Sequence, residues 1–221
     1  MKNITIAIDG PAGAGKSTIA KILSRSLGIT YLDTGAMYRT VALKAIREGI
    51  NTKDEARLEK LVSDIDIKIE YHGDEQHIFL DGEDVSDKIR TPEVSKGASD
   101  VSAVKAVRIR MVELQREIAA GQSVVMDGRD IGTYVLPNAQ YKFFLNASLE
   151  ERARRRYKEQ LEKGIKDITL EDVKKDIEYR DKNDSSRDFA PLVKADDAIE
   201  INTTDMTIQQ VVEKILSIIR S

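Results

Sequence analysis

The chain contains no cysteine, so disulfides, thiolate nucleophiles and cysteine-ligated zinc are all excluded. Histidine is almost as scarce. His72 and His77 are the only two, and in their polar stretch they read as solvated surface rather than as a metal pair. Long apolar runs are missing too: no segment reaches about 18 consecutive apolar residues, and the N-terminus carries no extended apolar stretch. Neither a membrane span nor a secretory leader is expected, and the cytoplasm is the default compartment. Positive charge is not in excess, since 35 basic and 38 acidic residues leave a net charge of −3. That balance does not favour duplex DNA or an anionic membrane. Any anionic ligand must be held by local clusters of Lys and Arg. What remains is 221 residues, 41% hydrophobic and 33% charged, enough for one α/β domain with appendages.

Ile4-Thr5-Ile6-Ala7-Ile8 is a short apolar run closed by Asp9-Gly10, the pattern of a buried parallel strand. Ile19, Ile22, Leu23 and Leu27 follow at helical spacing, with Gly28 as the stop. Thr30-Tyr31-Leu32 reads as a second strand broken by Asp33-Thr34-Gly35, and Ala36 to Glu48 as a helix. Residues 65–71 alternate apolar and polar like a half-exposed antiparallel strand, with a turn at His72-Gly73-Asp74 and a return at Ile78-Phe79-Leu80. Helical periodicity resumes from Val94 to Ala119. Ser123 to Gly128 repeats the first strand's pattern, and Tyr141–Leu145 and Ala198–Ile201 read as two more strands. Charged helices are expected over Leu149–Lys163 and Leu170–Arg180, then a mobile loop from Asp181 to Pro191. Thr207-Ile208-Gln209-Gln210 has capping-box spacing before an apolar helix. The pattern is a parallel α/β core with two excursions.

Gly10-Pro11-Ala12-Gly13-Ala14-Gly15-Lys16-Ser17 matches G-x-x-x-x-G-K-[ST] between an apolar strand and a helix. Its glycines let backbone N–H groups curl around an anion, and the helix adds its positive N-terminal end. Lys16 can reach β- and γ-phosphates, and the Ser17 hydroxyl can join a Mg²⁺ shell. Asp127 stands where a carboxylate can help hold that ion through water. No asparagine begins the N-K-x-D element of a guanine-reading switch. Arginines point instead to a kinase: Arg39, Arg129, the cluster Arg152, Arg154, Arg155 and Arg156, and Arg180 and Arg187. Transfer between two phosphates requires several negative charges to be offset, and needs no general base. A nucleic-acid role for Arg-Ala-Arg-Arg-Arg is disfavoured by the surrounding acidic residues and the lack of interleaved aromatics.

With those residues placed, the chain closely resembles the bacterial cytidylate kinase family of nucleoside monophosphate kinases. The marks are Ile8 to Thr18, Leu32 to Arg39, Ile89-Arg90-Thr91, Asp127 to Thr133 and Arg187 to Leu192, spread over essentially the whole length. The resemblance implies a P-loop NTPase core with a five-stranded parallel sheet, a monophosphate-binding domain with a small antiparallel β insertion, and a mobile lid. Expected boundaries are residues 1–38, 99–150 and 192–221 for the core, 39–98 for the insertion and 151–191 for the lid. It implies an ATP-dependent, Mg²⁺-requiring enzyme acting on CMP and dCMP. The sequence shows no obvious apolar seam for assembly, so a monomer is expected. Arg39, Arg129 and Arg187 would meet the acceptor phosphate. Thr34, Arg108 and Asp130 would surround the cytosine, and Ser99, Arg180 and Asp184 the pentose. ATP would be held by Gly10 to Thr18, with Arg152 and Arg156 facing it; Arg155 is an alternative to either. Lys16, Asp127, Arg129 and Arg187 are the expected catalytic residues, with Mg²⁺ at Ser17 and Asp127.

Overall fold

A computed structural model of the chain describes residues 3–73 and 75–220; Asp74, expected in a turn, lies outside them. The chain runs β1 (Thr5–Asp9), α1 (Lys16–Leu27), β2 (Thr30–Asp33), α2 (Thr34–Arg47) and α3 (Glu55–Ser63). The excursion β3 (Ile67–His72), β4 (Glu75–Leu80) and β5 (Glu83–Asp84) follows, then α4 (Pro92–Ala103) and α5 (Lys105–Ala119). The chain closes with β6 (Val124–Gly128), β7 (Tyr141–Asn146), α6 (Leu149–Glu162), α7 (Leu170–Ser186), β8 (Ile199–Asn202) and α8 (Ile208–Arg220).

The main sheet has five strands in the order β2-β6-β1-β7-β8, and every neighbouring pair is parallel. Successive side chains of a strand point to opposite faces, and the core divides accordingly. Ile6, Ile8 and Val125 pack with Leu23 of α1 and Val211 and Ile215 of α8. Ala7, Val124 and Met126 pack on the other face with Met37 and Val41 of α2 and Met111 of α5. The excursion is a separate antiparallel sheet in the order β3-β4-β5. Among the described residues, no helix is long and apolar enough to cross a membrane.

Four local details differ from the sequence reading. Asp33-Thr34-Gly35 is not a break: Asp33 ends β2 and caps α2 by accepting from the Ala36 N–H at 2.9 Å. The helix expected over Val94–Ala119 is two, separated by Val104 in an extended conformation (φ −77°, ψ 120°). Arg108 then reaches back to the Ser102 carbonyl, at 3.2 Å, near the end of α4. Asp181–Ser186 is the last part of α7 rather than loop; Asp181 and Asp184 are held there by part-buried ion pairs instead of by an apolar stripe. The third strand β5 was not anticipated. The expected capping box is present, with the Thr207 N–H donating to Gln210 Oε1 at 2.8 Å and the Gln210 N–H to Thr207 Oγ1 at 3.2 Å. His72 is exposed and its ring lies 4.2 Å from that of the half-buried His77.

Candidate active site

β1 delivers the chain to Gly10, whose φ is +145° and where an added Cβ would lie 2.0 Å from the Leu145 carbonyl oxygen. Only glycine fits there, so the loop sits directly against β7. The loop ends at Gly15 and α1 begins at Lys16, aiming unpaired helix N–H groups at the space above the sheet. Lys16 is 6% exposed, and its ammonium donates to the Pro11 carbonyl at 2.7 Å. Burial, and then the positive charge of Arg129, push its pKa down to about 7. Phosphates placed at this loop would restore the charge.

Across from Lys16, the Asp127 carboxylate at the end of β6 is held at both oxygens. Ser17 Oγ donates to Oδ2 and the Tyr31 hydroxyl to Oδ1, each at 2.8 Å. Burial and the neighbouring Asp33 carboxylate raise its pKa. A serine hydroxyl beside a carboxylate disfavoured as an anion is a hard-oxygen pair suited to Mg²⁺, which takes few protein ligands and keeps water and phosphate oxygens. Among the described residues no group of three or more His, Cys, Asp or Glu could hold a metal by itself.

The same cleft, about 780 Å³, extends past the carboxyl ends of β2 and β6 and between α4, α5 and α7. Each residue expected around the acceptor lines it. Arg108, 1% exposed, donates to Asp130 Oδ1 at 2.7 Å, and Tyr38 OH accepts from the other arm of its fork at 3.2 Å. Asp130 Oδ2 is buried without a hydrogen-bond partner. Arg129 Nε donates to Asp184 Oδ2 at 2.7 Å, and Ser99 Oγ to Asp184 Oδ1 at 3.3 Å. Burial works against the Asp184 anion, but Arg129, Arg187 and Arg180 outweigh it and hold its pKa below the usual carboxylate value. Arg187 lies 3.8 Å from Asp130 and 3.9 Å from Asp184, contacts of charge rather than hydrogen bonds, and its Nη2 is unpartnered. Burial, then Arg108, bring Arg187 down to about 10. Arg39 pairs with Asp33 at 2.8 Å, Arg180 lies 3.8 Å from Asp176, and the Thr34 hydroxyl donates to the Asp127 carbonyl at 2.7 Å.

On the remaining wall, Arg155 and Arg156 line the cleft, whereas Gly10, Pro11 and Arg152 do not. Arg152 is turned beneath the phosphate loop, where its guanidinium meets the carbonyls of Ala12 and Ala147 and the carboxylate of Asp181. Arg152, expected to face ATP, therefore does not line the cleft, whereas Glu151, Arg155 and Arg156 of the same helix do. Sequence reasoning also missed Tyr31, Tyr38 and Asp181. The two tyrosines stand in the strand and helix that carry Asp33 and Arg39, the only signal that pointed toward them. Asp181 adjoins Arg180 but was placed in a loop.

A phosphate loop opening onto a helix N-terminus, with a carboxylate closing the adjacent parallel strand, defines a P-loop α/β protein. The family model described as cytidylate kinase matches residues 6–221. Cytidylate kinase of Caldicellulosiruptor bescii is 51% identical over 99% of this chain and 96% of its own length. That of Caldanaerobacter subterraneus subsp. tengcongensis is 54% identical over 100% of this chain and 97% of its own. The chain belongs to the cytidylate kinase family. Among solved structures, an uncharacterized protein from Eubacterium ventriosum covers 99% of both chains at 15% identity with a TM-score of 0.52, a likeness of fold.

Proposed function

We propose that the protein transfers the γ-phosphoryl group of ATP to CMP or dCMP, giving ADP and CDP or dCDP. The observation that carries this reading is the buried Arg108–Asp130 pair, whose Asp130 Oδ2 lacks a partner, in the same cleft as the phosphate loop. Cytosine offers an N4 amino donor beside O2 and N3 acceptors, which suits a carboxylate next to a guanidinium. Uracil would set O4 against the carboxylate, acceptor to acceptor.

In this reading an oxygen of the acceptor phosphate attacks the γ-phosphorus, the bond to the β–γ bridging oxygen breaks, and ADP leaves. The monoester needs little deprotonation near neutral pH, so the protein's task is positioning and charge stabilisation. Residues Ala12 to Thr18 and Lys16 hold the donor phosphates, with Gly10 and Pro11 shaping the loop. Arg156, with Arg155 beside it, faces the donor from the lid. Arg39, Arg129 and Arg187 take the acceptor phosphate; Thr34, Arg108 and Asp130 the base; Ser99, Arg180 and Asp184 the pentose. Ser17 and, through water, Asp127 would hold Mg²⁺, which when bound supplies positive charge to the β- and γ-oxygens. The working division is core (1–38, 99–150, 192–221), monophosphate-binding insertion (39–98) and mobile lid (151–191), acting as a monomer in the cytoplasm.

ATP consumption measured against a panel of acceptors tests the proposal. CMP and dCMP should stimulate turnover far more than UMP, AMP or a polyol. Preference for an alcohol acceptor would reassign the acceptor side, and turnover indifferent to every acceptor would replace the kinase by a slow nucleotide switch.

A further inference from the structure

Ala12, in the middle of the phosphate loop, is gripped on both polar groups by side chains from outside the loop. Its N–H donates to Asp181 Oδ1 at 3.0 Å, and its carbonyl accepts from Arg152 Nη1 at 3.0 Å. The same Nη1 also pairs with Asp181 Oδ2, so Ala12, Asp181 and Arg152 form a closed ring. Arg152 is committed to this place, since its Nε donates to the Ala147 carbonyl at 3.0 Å. Ala12 and Arg152 are 3% and 7% exposed and the Asp181 side chain 22%, so water reaches the ring from the Asp181 side only.

Packing reinforces the ring. Ala12 belongs to a small apolar cluster with Ala153 of α6 and Val173 and Ile177 of α7, separate from the two large clusters that flank the sheet. At Gly13 (φ +76°) an added Cβ would lie 3.1 Å from both Cβ and O of Arg152, so the backbone of α6 is itself laid against the loop. Helices α6 and α7 therefore take their footing on the loop.

Asp181 shares α7 with Asp184, one turn further on, whose carboxylate holds Arg129 and Ser99 at the acceptor end. One helix thus touches the donor loop and the acceptor pocket. The Asp181 charge also favours the charged forms of Lys16 and Arg129, which belong to those two ends.

We propose that Asp181, braced by Arg152, is a positioning residue that ties the phosphate loop to the acceptor-binding helix, so that seating the acceptor on α7 sets the loop for the donor. This rests on the donor and acceptor assignment made above. Neither residue need touch the reacting atoms. A loop peptide displaced by about 1 Å is enough to lower turnover about 100-fold, because transfer depends on alignment.

The test is calorimetric binding of a non-hydrolysable ATP analogue with and without saturating CMP, alongside steady-state kinetics, for wild type, Asp181→Ala and Asp181→Asn. In wild type, CMP should tighten the analogue by about 5-fold or more. In Asp181→Ala that ratio should fall to about 1 and kcat by about 10- to 100-fold, while the KM for CMP stays within about threefold. Asp181→Asn keeps an oxygen for the Ala12 N–H but loses the ion pair with Arg152, and its ratio should lie between the two. If the alanine variant does not fold, the asparagine variant decides, and an unchanged ratio there overturns the proposal. A purely structural role would lower the melting temperature and weaken both ligands together with the ratio intact, which also overturns it. Wild-type turnover on CMP checks the kinase assignment by itself: an active enzyme without coupling removes this inference alone, whereas no turnover removes both.

Discussion

The two halves of the cleft are built from different materials. The donor half is mostly main chain, a loop shaped by glycine and closed by the first turn of α1, with Lys16 as its cation. The acceptor half is crowded with guanidinium groups, three of them matched directly by carboxylates: Arg39 with Asp33, Arg108 with Asp130, Arg129 with Asp184. The difference follows from what each half must survive when empty. Backbone N–H groups at a helix end can be solvated and then desolvated at small cost. Buried guanidiniums left unpaired would cost several kcal/mol each, so the empty acceptor site supplies its own counter-charges. On the proposed assignment an incoming phosphate would compete with those carboxylates, making acceptor binding an exchange of partners.

Removing the phosphate loop's own cation should have the largest effect. Lys16→Met should leave the circular dichroism spectrum unchanged and lower kcat by about 100- to 1,000-fold, since charge developing on the transferred group loses its nearest stabiliser. A folded variant with near-wild-type kcat would contradict the assignment of the loop. On the acceptor side, Asp130→Ala should narrow the CMP-to-UMP ratio of kcat/KM by roughly 5- to 150-fold, the equivalent of about 1–3 kcal/mol for an unmet buried polar group. Equal losses for both acceptors would show instead that Asp130 only steadies Arg108 and Arg187.

A third effect, smaller, is one of pH. Lys16 in the empty protein loses its proton above about 7, whereas in the unfolded chain it keeps it to about 10.5. Between those values the unfolded state binds more protons, so the empty protein should become more stable as pH rises from 7 toward 10.5. The contribution to the folding constant is at most about tenfold per pH unit. Urea unfolding of wild type minus Lys16→Met across this range measures it, and parallel curves would mean that Lys16 is not depressed.

The donor half was legible in the sequence because its causes are local. An apolar run, glycines where the chain must turn sharply and a helical repeat after Lys16 specify strand, loop and helix without help from distant residues. The small antiparallel sheet was legible for a similar reason, the alternation along residues 65–71. Much of the acceptor half was not. Residues 181–186 show no apolar period, yet they continue α7 because Asp181 and Asp184 find Arg152 and Arg129 far away in sequence. Among the arginines of α6, sequence gave no means to decide which turns inward; the choice is made by the phosphate loop pressing on the helix at Arg152.

The finest probe of the comparison is Tyr31, which joins the two halves through the carboxylate between them. Its ring is 4% exposed in the core beneath the sheet, and its hydroxyl donates to Asp127 Oδ1 at 2.8 Å while Ser17 holds Oδ2. The hydroxyl itself is kept neutral, because burial and then Asp127 push its pKa well above the ordinary tyrosine value. Tyr31→Phe keeps the ring and removes only that donor. Asp127, already raised by burial and by Asp33, loses a bond that favours its anion and becomes a poorer partner for a cation. A hydrogen bond to a charged carboxylate contributes about 1.5–3 kcal/mol, and at the low end of that range half-saturating Mg²⁺ should rise about tenfold. At saturating Mg²⁺, kcat should stay within about twofold of wild type, because the metal then restores the anion. A lowered kcat that added Mg²⁺ does not rescue would place Tyr31 in the geometry of transfer itself, and an unchanged Mg²⁺ dependence would separate Asp127 from the metal.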